Sequence, residues 1–167
     1  MRKIIRKKIE EALIQECMDQ ARYLTYAEKA KKDGDNNLAR LFQTISYSER
    51  IHSKRFFNLL GELGDSRENL LLCLENEKYQ SEEFYPALFE LAGLMNSTDL
   101  LTGFSDCSKS EKAHSTLFEK ALELINSGKQ VAFSSLYVCS NCGFTVEGHL
   151  PPICDICGMS QDIFKEF

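Results

Sequence analysis

The chain has 167 residues, 43% of them hydrophobic, and a net charge of −5. That is chain enough for one ordinary domain plus a small appendage. The acidic balance argues against a general nucleic-acid or anionic-membrane binder, and no apolar run approaches the roughly 18 residues of a membrane span.

Residues 1–10 are basic, with Arg2, Lys3, Arg6, Lys7 and Lys8 set among Ile4, Ile5 and Ile9. No apolar signal-peptide region follows them, so they read as an exposed helical turn of a cytoplasmic protein. Helix formers then dominate, and the breakers are few. Asp33-Gly34-Asp35, the stretch Gly61 to Ser66, Asn96-Ser97-Thr98-Asp99 and Asn126-Ser127-Gly128 each combine a helix stop with a start or an end. They predict four helices, at about 5–33, 36–62, 66–95 and 98–127. Pro86 falls inside the third, where it removes a backbone hydrogen bond and predicts a kink.

The helical region repeats itself. Glu16 precedes Glu49-x-x-His52 by 33 residues, and Glu77 precedes Glu111-x-x-His114 by 34. Residues three apart share a helical face, so each Glu-x-x-His can reach one point. One Glu from each of two helices, plus Glu-x-x-His from each of two others, is the ligand set of a di-iron or di-manganese carboxylate bundle. A lone Glu-x-x-His is common on charged surface helices. Here the chain has only three histidines, and two of them fall in matching copies with a carboxylate at nearly equal distance upstream. Carboxylates bridge hard cations and balance their charge, and imidazoles suit iron as well.

After Gly128 the composition changes. Residues 137–167 hold Cys139-x-x-Cys142 and Cys154-x-x-Cys157, each followed by glycine, with Pro151 and Pro152 between them. So short a segment needs a staple. Two Cys-x-x-Cys pairs in an intracellular chain read as a metal site rather than disulfides. Four thiolates suit iron or zinc, and spacing alone does not choose between them. His149 lies off this pattern and reads as an exposed loop residue. Cys17, Cys73 and Cys107 remain. Cys107 stands one turn before Glu111, which predicts an inward-facing, apolar role. Tyr23, Tyr26 and Tyr85 are candidates for hydrogen bonds to the ligands, with plain core packing as the alternative.

These residues together resemble a rubrerythrin over nearly the whole chain. The first helix carries Glu16 followed by Arg22-Tyr23. The second runs from Phe42 through Glu49-Arg50-Ile51-His52 to Lys54-Arg55. The third runs from Glu77 to Tyr85-Pro86, and the fourth has Glu111-Lys112-Ala113-His114. The resemblance implies a mainly α protein: a ferritin-like four-helix bundle over 1–130, then a rubredoxin-like domain over 131–167. It implies Glu16, Glu49, His52, Glu77, Glu111 and His114 as di-iron ligands and Cys139, Cys142, Cys154 and Cys157 around a single iron. It also implies a peroxidase that reduces hydrogen peroxide to water, with electrons from a cytosolic reductase or rubredoxin arriving through the four-cysteine iron.

One position departs. The family usually has a further Glu three residues after the third-helix ligand, and here that residue is Gln80. A neutral amide is a poorer iron ligand and balances no charge. This keeps open an O2-dependent ferroxidase or iron-handling role beside the peroxidase. A third reading is a non-catalytic protein with a zinc ribbon, which leaves the duplicated Glu and Glu-x-x-His pattern unexplained.

Chain length bears on assembly. If the second and third helices run parallel, the link between them must climb on the order of 30 Å, the sum of the helical rises on either side. Residues 62–66 fully extended reach only about 14 Å. This predicts a homodimer in which one chain's first helix pair packs on its partner's second pair, with a tight single-chain bundle as the alternative.

Overall fold

In the computed structural model, which describes residues 1–167, helix α1 (Lys3–Lys32) ends at Asp33 and α2 (Asn36–Leu60) begins after Asp35. Gly34 makes the turn at φ +85°, and the Asp35 carboxylate caps α2 by accepting the Leu38 N–H at 2.9 Å. At the far end Gly61 adopts the left-handed conformation, and the Glu62 N–H closes onto the Phe57 carbonyl at 3.1 Å.

The two helices form an antiparallel hairpin. Along their seam the buried or half-buried positions Leu13, Gln20 and Ala27 face Ala39, Ser46, Ser53 and Leu60, a seven-residue recurrence on both helices. Small side chains let the backbones approach, so that the Ser46 hydroxyl donates to the Gln20 carbonyl at 2.8 Å. Arg6 joins the ends by donating to the Leu60 carbonyl at 3.3 Å and to Glu62 at 3.0 Å. This hairpin is one compact unit, Met1–Gly64; residues Asp65–Phe167 make the other.

The second unit opens at a capping box. The Asp65 carboxylate accepts the N–H groups of Arg67 and Glu68 at 2.9 and 2.8 Å, and Glu68 returns a bond to the Asp65 N–H at 2.8 Å. Helix α3 (Ser66–Tyr79) runs into a π-helical turn (Gln80–Phe84) and continues as α4 (Tyr85–Leu94). The sequence predicts a kink at Pro86. The structure widens the turn before the proline, with the Tyr85 N–H reaching back five residues to the Gln80 carbonyl. The bond that proline cannot donate is absorbed within the wide turn. Asn96, at φ +52°, reverses the chain into α5 (Thr98–Asn126). Helix α5 runs antiparallel along the α3–α4 rod: the Ser108 hydroxyl donates to the Ser81 carbonyl at 3.0 Å, and Arg67 reaches Asn126 at 3.3 Å. All four predicted helices are present, each end within a few residues of its expected place.

The tail is a three-stranded antiparallel sheet, β1 (Leu136–Cys139), β2 (Thr145–Glu147) and β3 (Phe164–Glu166), in the order β2-β1-β3. It is held to α5 within the same unit. Ser110, buried on α5, donates to the Cys142 carbonyl at 2.9 Å. Lys120 pairs with Glu147 and sits 5.3 Å from the centre of the Phe133 ring. No helix is long and apolar enough to cross a membrane.

The capping box is the first contact of the second unit, and its removal is a clean test of that start. Asp65→Ala is expected to destabilise the unit by about 1 kcal/mol, read as an earlier urea midpoint for the helical signal with an unchanged slope.

Candidate metal centres

The hairpin seam carries the first cluster. Glu16 and Glu49 each stand three residues beyond a seam position, Leu13 and Ser46, and are half-buried between the helices. His52 follows on the next turn of α2. Its Nδ1 lies 2.8 Å from Glu49 Oε2 and 3.2 Å from Glu16 Oε2. Those hydrogen bonds, to Glu49 first and then Glu16, hold the imidazole above its ordinary pKa. The place therefore favours a positive charge on or beside the ring. His52 itself is exposed, in line with Leu38, Ile45 and Leu59 at the same seven-residue spacing. This is a second apolar stripe that the hairpin leaves uncovered.

The second cluster repeats the arrangement on α3 and α5. His114 Nδ1 lies 2.7 Å from Glu111 Oε2 and 3.5 Å from Glu77 Oε2. Glu77 Oε2 is buried and has no hydrogen-bond partner. Burial, and then the Glu111 carboxyl set against it, first as a hydrogen-bond neighbour and then as a like charge, push the Glu77 carboxyl up from its ordinary range. The far nitrogen of His114 lies 3.3 Å from the Gly143 carbonyl. A carbonyl only accepts, so this bond calls for a proton on Nε2, and in that tautomer the Nδ1 lone pair faces two carboxylates. Such a lone pair needs a proton or a metal ion in front of it. A proton on Nδ1 would point at Glu111 and leave Glu77 Oε2 orphaned; a divalent cation would serve all three atoms. In each cluster the candidate ligand atoms lie within 4.8 Å of one another. The donor set fits hard or borderline cations such as ferrous iron. A groove of about 490 Å³ opens beside Glu77 and His114, lined by apolar side chains including Leu70, Phe118 and Phe133.

In the tail, Cys139 Sγ is 3.7 Å from Cys157 Sγ and Cys142 Sγ is 3.6 Å from Cys154 Sγ. These distances exclude disulfides, whose sulfurs are about 2 Å apart. They match the edge of a tetrahedron with metal–sulfur bonds of about 2.3 Å. Burial pushes the Cys142 and Cys154 thiols up. Cys157 feels the same burial, yet the Met159 N–H and Asn141 bring it down to about 7. The glycine after each pair turns the backbone N–H groups inward. Gly143 and Gly158, at φ +81° and +72°, give their own N–H groups to the Cys139 and Cys154 carbonyls, and the next residues, Phe144 and Met159, aim their N–H groups at Cys142 and Cys157 sulfur.

The other candidates fall outside these clusters. Gln80 begins the π turn, half-buried. Tyr23 and Tyr26 pack on Phe42, with ring centres 6.5 and 5.7 Å away, and make no hydrogen bond to the carboxylates. Tyr85 packs against Phe84 and Phe104, beside the half-buried Cys107. Cys17 and Cys73 are exposed, and so is His149. Sequence reasoning missed Ser110 and Thr145, which meet the tail and His114 across the α5 surface; no spacing rule links a helix position to a loop 31 or 32 residues away.

Comparison with known proteins agrees with this geometry. The profile of the family described as Rubrerythrin matches residues 7–122. Rubrerythrin-2 of Clostridium acetobutylicum is 32% identical, over 91% of this chain and 90% of its own. Rubrerythrin of Nitratidesulfovibrio vulgaris is 26% identical, over 95% of this chain and 92% of its own. Among solved structures, the partially reduced state of nigerythrin superimposes with a TM-score of 0.58 at 22% identity, covering 97% of this chain and 86% of that one. The fold is therefore that of nigerythrin: mainly helical, four helices followed by a small four-cysteine sheet.

If a metal staples the tail, removing one sulfur should loosen the tail and spare the helices. Cys154→Ser in the full chain is expected to lose the tail's metal and the slow hydrogen exchange of the Tyr137 and Val138 amides, with the far-UV helical signal retained.

Proposed function

Since this chain belongs to the rubrerythrin family, we propose that it is a non-haem di-iron peroxidase of oxidative-stress defence. It would reduce hydrogen peroxide to water with electrons relayed through a four-cysteine iron. The observation that carries this reading is the seating of the tail on α5. Ser110 and His114, on that one helix, bond the carbonyls of Cys142 and Gly143. The backbone beside the four cysteines is thus hydrogen-bonded to the helix that carries half of a carboxylate–histidine cluster, a proximity that supports electron exchange between the two.

In this reading Glu16, Glu49, His52, Glu77, Glu111 and His114 hold two irons, and Cys139, Cys142, Cys154 and Cys157 hold one. A ferrous pair bound there would supply two electrons and Lewis-acid stabilisation of negative charge. The chain's own part is geometry, charge balance and a dry wall. The carboxylates would neutralise the cations, the imidazoles would complete the donor set, and Leu70, Phe118 and Phe133 give the groove beside Glu77 an apolar lining. The bundle is assigned to 1–130 and the electron-transfer domain to 131–167. A cytoplasmic setting with a reductase or rubredoxin as donor suits this role.

Assembly follows from the same residues. Each three-ligand set sits within its own unit, and the link Gly61–Asp65 is short. The uncovered stripe Leu38, Ile45, His52 and Leu59 runs through the first set. Both features support a homodimer in which the hairpin of one chain covers the second unit of its partner, each di-iron centre drawing on two chains. A dimeric solution mass is expected at micromolar concentration. A monomer with fully loaded centres would remove the exchange.

Gln80 favours a second reading, an O2-dependent ferroxidase, because the position offers no carboxylate. Reduced, iron-loaded protein is to be mixed with stoichiometric peroxide and, separately, with O2, following re-oxidation of the four-cysteine iron by its visible absorbance. Faster re-oxidation by peroxide is expected; faster reaction with O2, or none coupled to the tail, would transfer the assignment to the ferroxidase. Gln80→Glu is expected to raise the peroxide rate by about tenfold, an amount equal to roughly 1.4 kcal/mol of barrier. A colourless tail that binds only zinc would instead point to a structural ribbon.

A further inference from the structure

The two candidate histidine ligands differ behind the metal-facing atom. His52 Nε2 has no hydrogen-bond partner within its hairpin. His114 Nε2 has two, the Gly143 carbonyl at 3.3 Å and the Thr145 hydroxyl at the shorter distance of 3.0 Å. The Thr145 hydroxyl donates its own proton to the Gly143 carbonyl at 3.1 Å, so the oxygen meets the ring as an acceptor. The residue is well placed to hold that angle. It opens β2, pairs with Val138 across the sheet, is half-buried, and its β-branched side chain has few rotamers. It also lines the groove beside Glu77, where little else polar is available.

We propose that Thr145 is a positioning residue for His114: by accepting the Nε2 proton, its hydroxyl holds the tautomer and ring angle that present Nδ1 to Glu77 and Glu111. The inference rests on the ligand set proposed above. It makes the four-cysteine domain a structural part of the neighbouring metal centre, since the outer support of one ligand comes from the tail's sheet. Valine would fill the same space and leave the ring with the longer carbonyl contact alone. Serine would restore the acceptor.

The test uses the full chain with its four-cysteine site first filled with zinc, which is spectroscopically silent, followed by cobalt(II) titration of the carboxylate–histidine centre. Thr145→Val is expected to weaken cobalt binding about 10- to 100-fold, the usual effect of losing the outer partner of a metal-bound histidine. Thr145→Ser is expected to bind as the unmodified chain does. In a His114→Ala background, Thr145→Val is expected to change nothing further. Hydrogen exchange in β1 should match in all Thr145 variants, which separates positioning from damage to the sheet. Equal cobalt affinity in the unmodified and valine chains would overturn the positioning role alone, as would a loss that persists unchanged without His114. Failure of the unmodified chain to take up cobalt at this centre would overturn the ligand set, and the role of Thr145 with it.

Discussion

An imidazole nitrogen crowded by two carboxylates is the contact on which the helical region turns. It occurs twice, at His52 with Glu16 and Glu49 and at His114 with Glu77 and Glu111. In each place the acidic groups stand where a helix seam would ordinarily bury leucine. Carboxylates in such positions oppose folding unless a cation compensates them, and the buried, unpaired Glu77 Oε2 makes that demand most plainly. The small residues at the hairpin seam belong to the same arrangement. Alanine and serine bring the backbones close enough for side chains from both helices to converge on one point.

The tail meets a parallel demand with softer atoms. Burial raises the Cys142 and Cys154 thiols, so holding all four sulfurs as thiolates calls for a compensating cation. The metal that would hold them also replaces the core that so short a segment lacks. Because Ser110, His114 and Lys120 on α5 all reach this tail, the helix that carries one Glu-x-x-His motif is also the platform for the thiolate site. A single helix thus sets the spacing between the cysteine cluster and the Glu77, Glu111 and His114 cluster.

The candidate ligands and the chain's punctuation were legible in the sequence because they obey local rules. Glu-x-x-His is visible because residues three apart share a helical face. Cys-x-x-Cys followed by glycine is visible because a tight turn needs that residue. The stops at Gly34, Gly61 and Asn96 follow from their tolerance of positive φ. Even the heptad recurrence from Ala39 to Leu60 is present in the sequence, although it is hard to see there because its members are alanine and serine as well as leucine.

What the tertiary structure alone decided lies where two distant segments meet. Pro86 announces a disturbance, but that it takes the form of a π turn over Gln80–Phe84 is visible only in the structure. The extra residue in that turn rotates every later side chain by about 100° relative to a regular helix, so faces extrapolated from Glu77 past Gln80 go astray. The division at Gly64, the pairing of Ser110 with Cys142 and the bond from His114 to Thr145 have no periodic signature, because they join a helix to a loop through a register that only packing sets. The sequence by itself determined which atoms are available to bind metal, through short-range backbone geometry; the fold determined which of them meet, and what stands behind them.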